Sequence, residues 1–373
     1  MKIGIDISQI VYGTGVSNNV KNLVINLLKI DRQNQYLLWA GTWREKKKIK
    51  DFLEQLPAKA NFKAFIHPLP PTIVHFLWNK LHLLPIETLI GQCDIFLSSD
   101  WSQPPTRQAK KATIVYDLVP WLYPATQTKR IIKTHKARMK WVKKEADLIF
   151  AISQSTKNDL IKIIAIPANK IKVVYPAINK KLFQTQNQKE INRIKKKYQL
   201  NDYLLVVGTK EPRKNLHRVI NAFKQLEKNN LQLAIVGKTG WGKKNKITKQ
   251  NNIKILGYVP DKDLPALYNG AKIFLYPSLY EGFGMPILEA QACNCPVITS
   301  KTSSMPEVAG NDAILINPKK TNEIKEAIER INNDESLRKE LITKGKENVK
   351  RFSWKKYATQ ILQNLVLLKK MLK

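Results

Sequence analysis

The chain has 373 residues, an ordinary apolar content of 43% and a formal net charge of +35 at pH 7. This length exceeds what one hydrophobic core normally organises, so two domains are expected. No apolar run reaches the roughly 18 residues that predict a membrane-spanning helix. The first residues, MKIGID, resemble a buried strand rather than a signal peptide. The charge excess predicts partners that carry phosphate or other anionic groups.

Cysteine usage predicts a reduced protein. The three cysteines, Cys93, Cys293 and Cys295, are odd in number, and two of them are separated by a single residue. This spacing fits neither a disulfide framework nor a zinc site. We therefore expect buried free thiols in a reducing cytosol.

Strand-like and helix-like segments alternate through the first half, which predicts a parallel sheet covered by helices on both faces. A glycine-rich loop, Gly13-Thr14-Gly15, separates the first strand from the first helix. The predicted strands cover residues 2–6, 36–40, 63–66, 94–98, 112–116, 147–152 and 172–175. Helices are predicted near 17–30, over the basic stretch 44–50, around 126–145 and around 154–164.

Residues 129–144, KRIIKTHKARMKWVKK, combine eight basic residues with no acid. Apolar residues recur within the segment at roughly helical spacing, and Trp141 lies among them. Such a helix is typical of a membrane surface. It is equally typical of a solvated helix whose apolar stripe packs on its own core. The shorter basic runs at 44–50 and 243–246 are interpreted as solvated surface.

A second alternating series follows a polar segment at 179–200, which we interpret as a linker. Its predicted strands cover residues 203–208, 231–237, 252–258, 272–277, 296–300 and 313–317. Its predicted helices cover residues 214–227, 261–269, 286–294, 320–332 and 335–349. The predicted domains are therefore 1–178 and 201–352, with an amphipathic helix at 353–373 packing back toward the first domain. The predicted architecture is α/β, with two doubly wound Rossmann-like domains facing across a ligand-binding cleft.

The segment YPSLYEGFGMPILEAQACNCPVITS, residues 276–300, carries the strongest chemical signal. Glu281 and Glu289 lie eight positions apart, with Gly282 and Gly284 between them and Pro286 at the predicted helix start. Both acids should lie at the sheet edge where such folds bind ligands, and the helix start suits a phosphate. Two carboxylates could be the acid and base of a glycoside hydrolase, or could accept hydrogen bonds from sugar hydroxyls.

Two further loops are candidate ligand contacts. The turn GTKEPRKN, residues 208–215, places Arg213 and Lys214 at a helix start, a combination that neutralises a pyrophosphate. The Gly13–Gly15 loop permits close backbone approach. Its G-x-G-x-x-G pattern fails because Asn18 occupies the third glycine position. That loop is either a ligand contact or a plain connection.

Asp261-Lys262-Asp263 spells a D-x-D, which some sugar-transferring enzymes use to hold a divalent metal. We favour a structural interpretation, in which both aspartates cap the helix predicted at 261–269. The sequence contains no other His, Cys and acid cluster that suggests a metal, and no G-x-S-x-G elbow or P-loop.

These motifs resemble those of the retaining glycosyltransferases of family 4, which have the two-domain GT-B fold. The resemblance is carried by GYVPDKDLPALY, YPSLYEGFGMPILEAQACNCPVITS and SSMPEVAGNDAILINP, and upstream by GTKEPRKNLHRVINAF and AIVGKTGWG. The first domain is similar more loosely, through MKIGID, the Gly13–Gly15 loop, YDLVPWLYP and AISQSTKNDL. The most similar subgroup includes mannosyltransferases of surface polysaccharide synthesis, among them those of lipopolysaccharide.

The resemblance implies a role for each matching residue. Glu281 would contact the donor sugar, Glu289 the ribose hydroxyls, and Arg213 with Lys214 the diphosphate. Further donor contacts are implied for Gly13, Thr14, Gly15, Gly208 and Pro286, and for the backbone N–H groups of Phe283, Gly284 and Met285. Cations and a helix start would stabilise the leaving diphosphate, so neither a metal nor another cofactor is required.

One position departs from the family pattern. Where the family commonly has a histidine before Asp-Leu, this chain has Tyr116-Asp117-Leu118. Tyrosine can donate a hydrogen bond to a donor sugar but does not titrate near neutral pH. Asp117 is therefore expected to carry more of the site. A purely structural Tyr116 at the end of a strand is equally plausible.

The resemblance implies a retaining hexosyltransferase that moves mannose from a nucleotide-diphosphate sugar to a glycan or polyprenyl-linked acceptor. A cytoplasmic protein, peripheral at the inner membrane face, is expected to meet an anionic membrane surface but not a specific nucleic acid. The alternative is a catalytically degraded GT-B protein that serves as a basic membrane-surface or nucleic-acid binding module. The charge of +35 and the missing histidine favour that alternative, whereas the intact acidic pair opposes it.

Overall fold

The structure is a computed structural model that describes residues 1–226, 230–238 and 252–370. The chain divides into two compact units. The first consists of Met1–Trp121, Lys129–Pro176 and Ser353–Lys373, and the second of Leu122–Thr128 and Ala177–Phe352. The basic run at 243–246 and the end of the AIVGKTGWG motif lie outside the described residues.

The first unit is built on a seven-stranded parallel sheet in the order β3-β2-β1-β4-β5-β6-β7. The strands are β1 (Lys2–Asp6), β2 (Gln35–Gly41), β3 (Phe62–His67), β4 (Ile95–Ser99), β5 (Lys110–Val115), β6 (Leu148–Ala151) and β7 (Ile171–Val173). The helices are α1 (Gly15–Ile30), α2 (Lys46–Glu54), α3 (Pro71–Val74), α4 (Glu87–Ile90), α5 (Val119–Leu122), α6 (Lys129–Glu145), α7 (Gln154–Ile164) and, from the end of the chain, α15 (Trp354–Lys370). A π-helix, His75–Leu81, directly follows α3.

The second unit is built on a six-stranded parallel sheet in the order β10-β9-β8-β11-β12-β13. Its strands are β8 (Tyr203–Val207), β9 (Gln232–Val236), β10 (Ile253–Gly257), β11 (Ile273–Tyr276), β12 (Val297–Ser300) and β13 (Ile314–Ile316). Its helices are α8 (Gln188–Tyr198), α9 (Leu216–Lys224), α10 (Leu264–Gly270), α11 (Met285–Ala292), α12 (Met305–Ala309), α13 (Thr321–Asn333) and α14 (Glu335–Lys350).

Each sheet reverses its strand order next to its first strand. In the first unit β1 lies between β2 and β4, and in the second β8 lies between β9 and β11. Loops that leave the carboxyl ends of two such neighbouring strands diverge to opposite faces and open a crevice, where these folds bind ligands. The topology therefore marks one candidate binding position in each unit.

The predicted α/β class with two parallel, doubly wound sheets is confirmed. The cleft between the domains stays a prediction. The segment 179–200, interpreted as a linker, contains α8 and belongs to the second unit. Its Ile194 is fully buried, so the polar composition of this segment concealed a packed helix. Helix α15 belongs to the first unit, where the Tyr357 hydroxyl donates to Asn19 Oδ1 on α1 at 3.0 Å.

The structure decides between the two interpretations of the basic segment at 129–144. Met139 and Val142 of α6 are buried with Leu118 and Ile149 in the core of the first unit. Arg138 is also buried, and donates to Thr113 Oγ1 at 2.6 Å. The apolar stripe of α6 therefore faces its own core, and a membrane-inserting role for that stripe is excluded.

Within the described ranges, none of the helices combines the length and the apolarity that crossing a bilayer requires. The three cysteines are free thiols, as expected. Cys293 and Cys295 are buried, whereas Cys93 is half-buried.

Candidate active site

The loops that follow β8 and β11 lie side by side in the second unit. The two strands are paired in register, with Ile273 opposite Leu204. The Leu279 N–H donates to the Arg213 carbonyl at 2.8 Å, and the Asn215 side-chain amide donates to the Pro277 carbonyl at 3.0 Å. These bonds fix the 208–215 turn against the loop that carries Glu281.

Glu281 forms a buried ion-pair cluster with the two cations of the turn. Its Oε1 lies 2.7 Å from Lys214 Nζ, and its Oε2 lies 2.7 Å from Arg213 Nη1. Arg213 also pairs through Nη2 with Glu211 Oε1 at 2.5 Å. Glu281 is only 7% exposed, so solvent screens these contacts weakly. The structure thus brings together the acid and the cationic pair that the sequence singled out.

The cluster holds Glu281 ionised. Burial alone would raise the pKa of its carboxyl, but the charges of Arg213 and Lys214 outweigh burial and lower the pKa to about 2. Burial lowers the pKa of the Lys214 ammonium, and the Glu281 carboxylate opposes that effect. At neutral pH the candidate site therefore presents a carboxylate between two cations.

Tyr276, at the end of β11, is a site residue that the sequence did not single out. Its hydroxyl accepts a hydrogen bond from Lys214 Nζ at 2.9 Å, and the ammonium lies 5.0 Å from the ring centroid. Burial first, and the charges of both Glu281 and Glu289 in addition, raise its pKa. Through Lys214, the Tyr276 hydroxyl therefore belongs to the cluster that contains Glu281. Tyr276 could not be recognised from the sequence, because a tyrosine that ends the apolar run IFLY looks like a core residue.

The loop between Glu281 and α11 is held by two serines after β12. Ser303 Oγ donates to the Glu281 carbonyl at 2.5 Å, and Ser304 Oγ donates to the Phe283 carbonyl at 2.6 Å. Gly284 precedes α11 with φ of 110°, a conformation that favours glycine. The carbonyls of Glu281 and Phe283 both accept hydrogen bonds, which holds the loop in place before α11 begins at Met285. Helix α11 begins at Met285, one residue earlier than predicted, so Pro286 occupies its second position.

Glu289 lies in α11, half-buried, and has a different environment from Glu281. The Tyr268 hydroxyl donates to its Oε2 at 3.0 Å. Burial raises the pKa of Glu289 to about 7, a shift that the Tyr268 hydrogen bond opposes and the charge of Asp261 assists. Glu289 therefore changes charge near neutral pH, whereas Glu281 stays ionised.

Gly208 begins the cationic turn with φ of 153°, and a second glycine makes room for it. A Cβ placed on Gly237, at the end of β9, would lie 1.9 Å from the Gly208 carbonyl oxygen. Any side chain at position 237 would thus displace the start of the turn. The chain uses glycine at both positions because the two backbones approach so closely.

The remaining predicted donor contacts belong to the first unit, and their roles beside the donor stay predictions. Gly13 has φ of 63°, and Thr14 caps α1 in a reciprocal bond with Ser17. Open space surrounds the Cβ positions of Gly13 and Gly15. Asp117 Oδ1 accepts the Val119 N–H at 2.9 Å, which fixes the turn after β5.

Tyr116, in place of the family histidine, is tied into the first unit. Its hydroxyl lies 3.0 Å from Ser99 Oγ and donates to Asn19 Oδ1 at 3.3 Å. Asn19 Oδ1 also accepts from Tyr357. This network joins β5, α1 and α15, and it gives Tyr116 a structural role.

The D-x-D motif has a structural role, though not the predicted one. The helical segment starts at Asp261 as predicted, with a 3-10 turn over Asp261–Asp263 that leads directly into α10 at Leu264, but no side-chain cap bond forms at either helix start. Asp263 is instead fully buried, and its Oδ2 lies 2.5 Å from Lys197 Nζ and 2.8 Å from the Tyr198 hydroxyl. It therefore anchors α8. Among the described ranges, no three His, Cys, Asp or Glu side chains cluster as metal ligands do.

A cavity of about 710 Å³ lies in the first unit, at the carboxyl ends of β1, β2 and β4. Its lining includes buried Asp6 and Gln9 and the exposed ring of Tyr12. Gln9 Nε2 donates to Ser99 O at 2.8 Å and to Asp6 Oδ2 at 3.1 Å, while its Oε1 has no hydrogen-bond partner. Basic side chains also line the cavity: Lys80, Lys129, Arg130 and Lys133. This cavity was not predicted from the sequence, since the loops that form it are distant along the chain.

Comparison with known proteins identifies the relatives of this chain. The family model described as glycosyl transferases group 1 matches residues 187–348. The O-antigen chain mannosyltransferase B of Escherichia coli is 32% identical over 275 residues, which is 71% of this chain and 72% of that protein. The serotype-specific mannosyltransferase WbdA of the same species is 32% identical over 222 residues. That match covers 56% of this chain and only 27% of WbdA.

Solved structures share the fold over nearly the whole length. The Anabaena Alr3699/HepE protein in complex with UDP and glucose aligns with a TM-score of 0.72 at 18% identity, covering 98% of this chain and 99% of that one. The sucrose-phosphate synthase of Thermosynechococcus elongatus also aligns with a TM-score of 0.72, at 17% identity over 99% of both chains. The likeness confirms the GT-B fold. With its group 1 signature and its 32% identity to a relative matched over most of both lengths, the chain belongs to the group 1 glycosyl transferase family.

Proposed function

We propose that this protein moves a hexose, mannose first among the candidates, from a nucleotide-diphosphate sugar to a glycan acceptor in cell-surface polysaccharide synthesis. The observation that carries the proposal is the buried cluster of Glu281 with Arg213 and Lys214 at the crevice of the second unit. Relatives named as O-antigen mannosyltransferases support the choice of sugar and of pathway class.

The cluster suits a donor diphosphate because its cations are fixed before the ligand arrives. Lys214 uses two of its three N–H donors on Glu281 and Tyr276. Arg213 is held by Glu211 and by the Tyr280 carbonyl. A diphosphate at this point would meet oriented cations with little reorganisation of the protein, the condition under which charge stabilises a leaving group.

The ionised Glu281 would then accept hydrogen bonds from sugar hydroxyls, and Glu289 those of the ribose. We infer that transfer retains the donor's anomeric configuration, with front-face attack by the acceptor and the leaving phosphate assisting its deprotonation. We also infer that Arg213, Lys214 and the start of α11 neutralise the diphosphate, so that transfer continues in excess chelator. Product stereochemistry by proton NMR and an assay in EDTA test these two points.

The acceptor is proposed to be a glycan, free or polyprenyl-linked, bound in the cavity of the first unit. The volume of about 710 Å³ fits a ligand of oligosaccharide fragment size. Its buried Asp6 and Gln9 offer hydrogen-bond acceptors to sugar hydroxyls, and the Tyr12 ring offers an apolar face. We further propose a cytoplasmic protein that acts at the inner face of the cell membrane.

The alternative, a catalytically degraded binding module, is not favoured. The family relatives are named as transferases, and the acids and cations of the second unit form a closed ion-pair cluster. The replacement of the family histidine by Tyr116 is accommodated by hydrogen bonds to Ser99 and Asn19.

A panel of nucleotide sugars tests the proposal. We expect GDP-mannose to be turned over with release of GDP in the presence of a glycan acceptor, and Lys214→Ala to abolish this release. Lys210→Ala, in the same turn, serves as the matched control and should retain most of the activity. If no nucleotide sugar of the GDP, UDP or ADP series is consumed, the proposed function is wrong.

A further inference from the structure

The surface of the first unit carries one concentrated group of exposed apolar side chains. Ile73, Phe76, Leu81 and Leu83 are 44%, 49%, 47% and 57% exposed. They account for four of the twelve large hydrophobic side chains exposed among the described residues, yet they fall within eleven residues of sequence. Exposed apolar side chains scattered singly need no explanation, whereas a concentration of them marks a binding surface.

This segment, residues 73–83, is firmly anchored, so its exposure is built into the fold. Val74 and Trp78, which lie between the exposed residues in sequence, pack into the core and are 7% and 1% exposed. The Trp78 ring packs on Trp39 of β2 with centroids 4.7 Å apart, and its Nε1 donates to the Leu84 carbonyl at 3.0 Å. The segment includes the π-helix, a rare conformation that occurs frequently at functional sites.

Helix α6 places a cationic face beside this segment. The indole Nε1 of Trp141 on α6 donates to the Asn79 carbonyl at 2.9 Å, and its ring stacks on His82 with centroids 3.6 Å apart. Seven basic side chains of α6 are exposed: Lys129, Arg130, Lys133, Lys136, Lys140, Lys143 and Lys144. The one acid of α6, Glu145, pairs with Lys111 and His82, so it leaves this face uniformly positive.

We propose that the apolar segment 73–83 and the exposed cations of α6 together form a docking surface for an anionic lipid bilayer. Apolar side chains would enter the interface while the cations contact lipid headgroups, which is how interfacial protein surfaces bind membranes. A nucleic acid would use the cations but has no use for exposed leucine and isoleucine. A globular protein partner would meet a face of uniform positive charge, whereas protein interfaces are depleted in lysine.

The docking surface deepens the proposed function, on which it rests for its biological purpose. The acceptor cavity is lined by His75 and Lys80 of the segment 73–83 and by Arg130 and Lys133 of α6, so it borders both parts of the surface. A protein bound through this surface would thus present its cavity at the lipid headgroups. A lipid-linked acceptor could then enter without leaving the bilayer.

Sedimentation with lipid vesicles tests the apolar part of the surface. The full chain is mixed with vesicles of phosphatidylcholine alone or with about one third phosphatidylglycerol, and the bound fraction is measured. The double variant Leu81→Ser/Leu83→Ser should weaken binding to the anionic vesicles about tenfold. The matched control Leu367→Ser changes a leucine that is 56% exposed on α15, and should bind like the wild type.

The cationic part is tested in the same assay. Lys136→Gln/Lys140→Gln should weaken binding to anionic vesicles, whereas Lys46→Gln/Lys47→Gln, with the same loss of charge from exposed positions on α2, should weaken it less. Equal losses in both pairs would mean that total charge alone drives binding, and would overturn the proposal.

Two further outcomes separate the proposal from its competitors and from the proposed function. If duplex DNA displaces the vesicles, and the leucine variant binds DNA as well as the wild type does, the surface belongs to nucleic acid and the proposal is overturned. Nucleoside diphosphate binding is measured on the same variants without lipid. If the leucine variant loses vesicle binding but keeps its diphosphate binding, the docking surface is supported. If the wild-type protein binds GDP but no vesicle, the docking surface is wrong while the proposed function still stands.

Discussion

Replacing Glu281 by glutamine should destabilise the free protein. The substitution keeps the shape of the side chain but leaves Arg213 and Lys214 without their shared carboxylate, 2.7 Å from each. Removing one member of a buried ion pair costs about 3–5 kcal/mol. We take about 3 kcal/mol, since Glu211 still pairs with Arg213. For a domain of this size, that corresponds to a melting temperature lower by about 6–12 °C.

The same substitution should tighten the binding of a nucleoside diphosphate. In the wild type the Glu281 carboxylate already neutralises the two cations and repels an incoming phosphate. In Glu281→Gln the diphosphate takes over that neutralisation, so added GDP should raise the melting temperature of the variant by more than it raises that of the wild type. Transfer should nevertheless fall by orders of magnitude, because the sugar hydroxyls lose a charged acceptor.

Differential scanning fluorimetry with and without GDP measures both effects, and a transfer assay measures the third. The control is Glu347→Gln, which removes an exposed ion pair with Lys350 on α14 and should change stability by less than about 1 kcal/mol. A variant as stable as the wild type, or one that GDP stabilises less than the wild type, would refute the charge arrangement described for this site.

Three other substitutions follow from the same geometry. Lys214→Ala should weaken diphosphate binding at least tenfold in titration calorimetry, with equal affinity contradicting its role. Because the pKa of Glu289 lies at about 7, nucleotide affinity should rise as pH increases through 7, and Glu289→Gln should flatten that profile. The stability from Glu281 should persist above pH 4.5 and be lost as pH falls toward 2, a loss that Glu281→Gln should not show in acid unfolding. Gly237→Ala should lower the melting temperature sharply, since its Cβ would meet the Gly208 carbonyl at 1.9 Å; a stable variant would refute that close approach.

The second unit was predictable because its chemistry is local in sequence. Glycines and a proline around Glu281 indicated a strand, loop and helix, and the structure places α11 at Met285–Ala292 against a prediction of 286–294. The approach of Arg213 and Lys214 to Glu281 followed from the topology of a parallel sheet, in which the ends of neighbouring strands meet.

The features that the sequence did not predict depend on contacts between distant segments. Residues 71–90 form short helical segments, separated at Pro85, that do not sustain a helical periodicity, so neither these helices nor the docking surface was predicted. The pattern of α6 also allowed its apolar stripe to face a membrane, because the sequence could not show that Met139 and Val142 are buried. Tyr276 was missed for the same reason, since its partner Lys214 lies 62 residues earlier in the chain.

The site assignment is tested by a crystal structure with bound GDP. We expect the diphosphate within hydrogen-bond distance of Arg213 and Lys214, beside the start of α11, with a ribose hydroxyl at the Glu289 carboxylate. A diphosphate bound instead among Lys129, Arg130 and Lys133 of the first-unit cavity, with the Glu281 cluster unchanged, would contradict it.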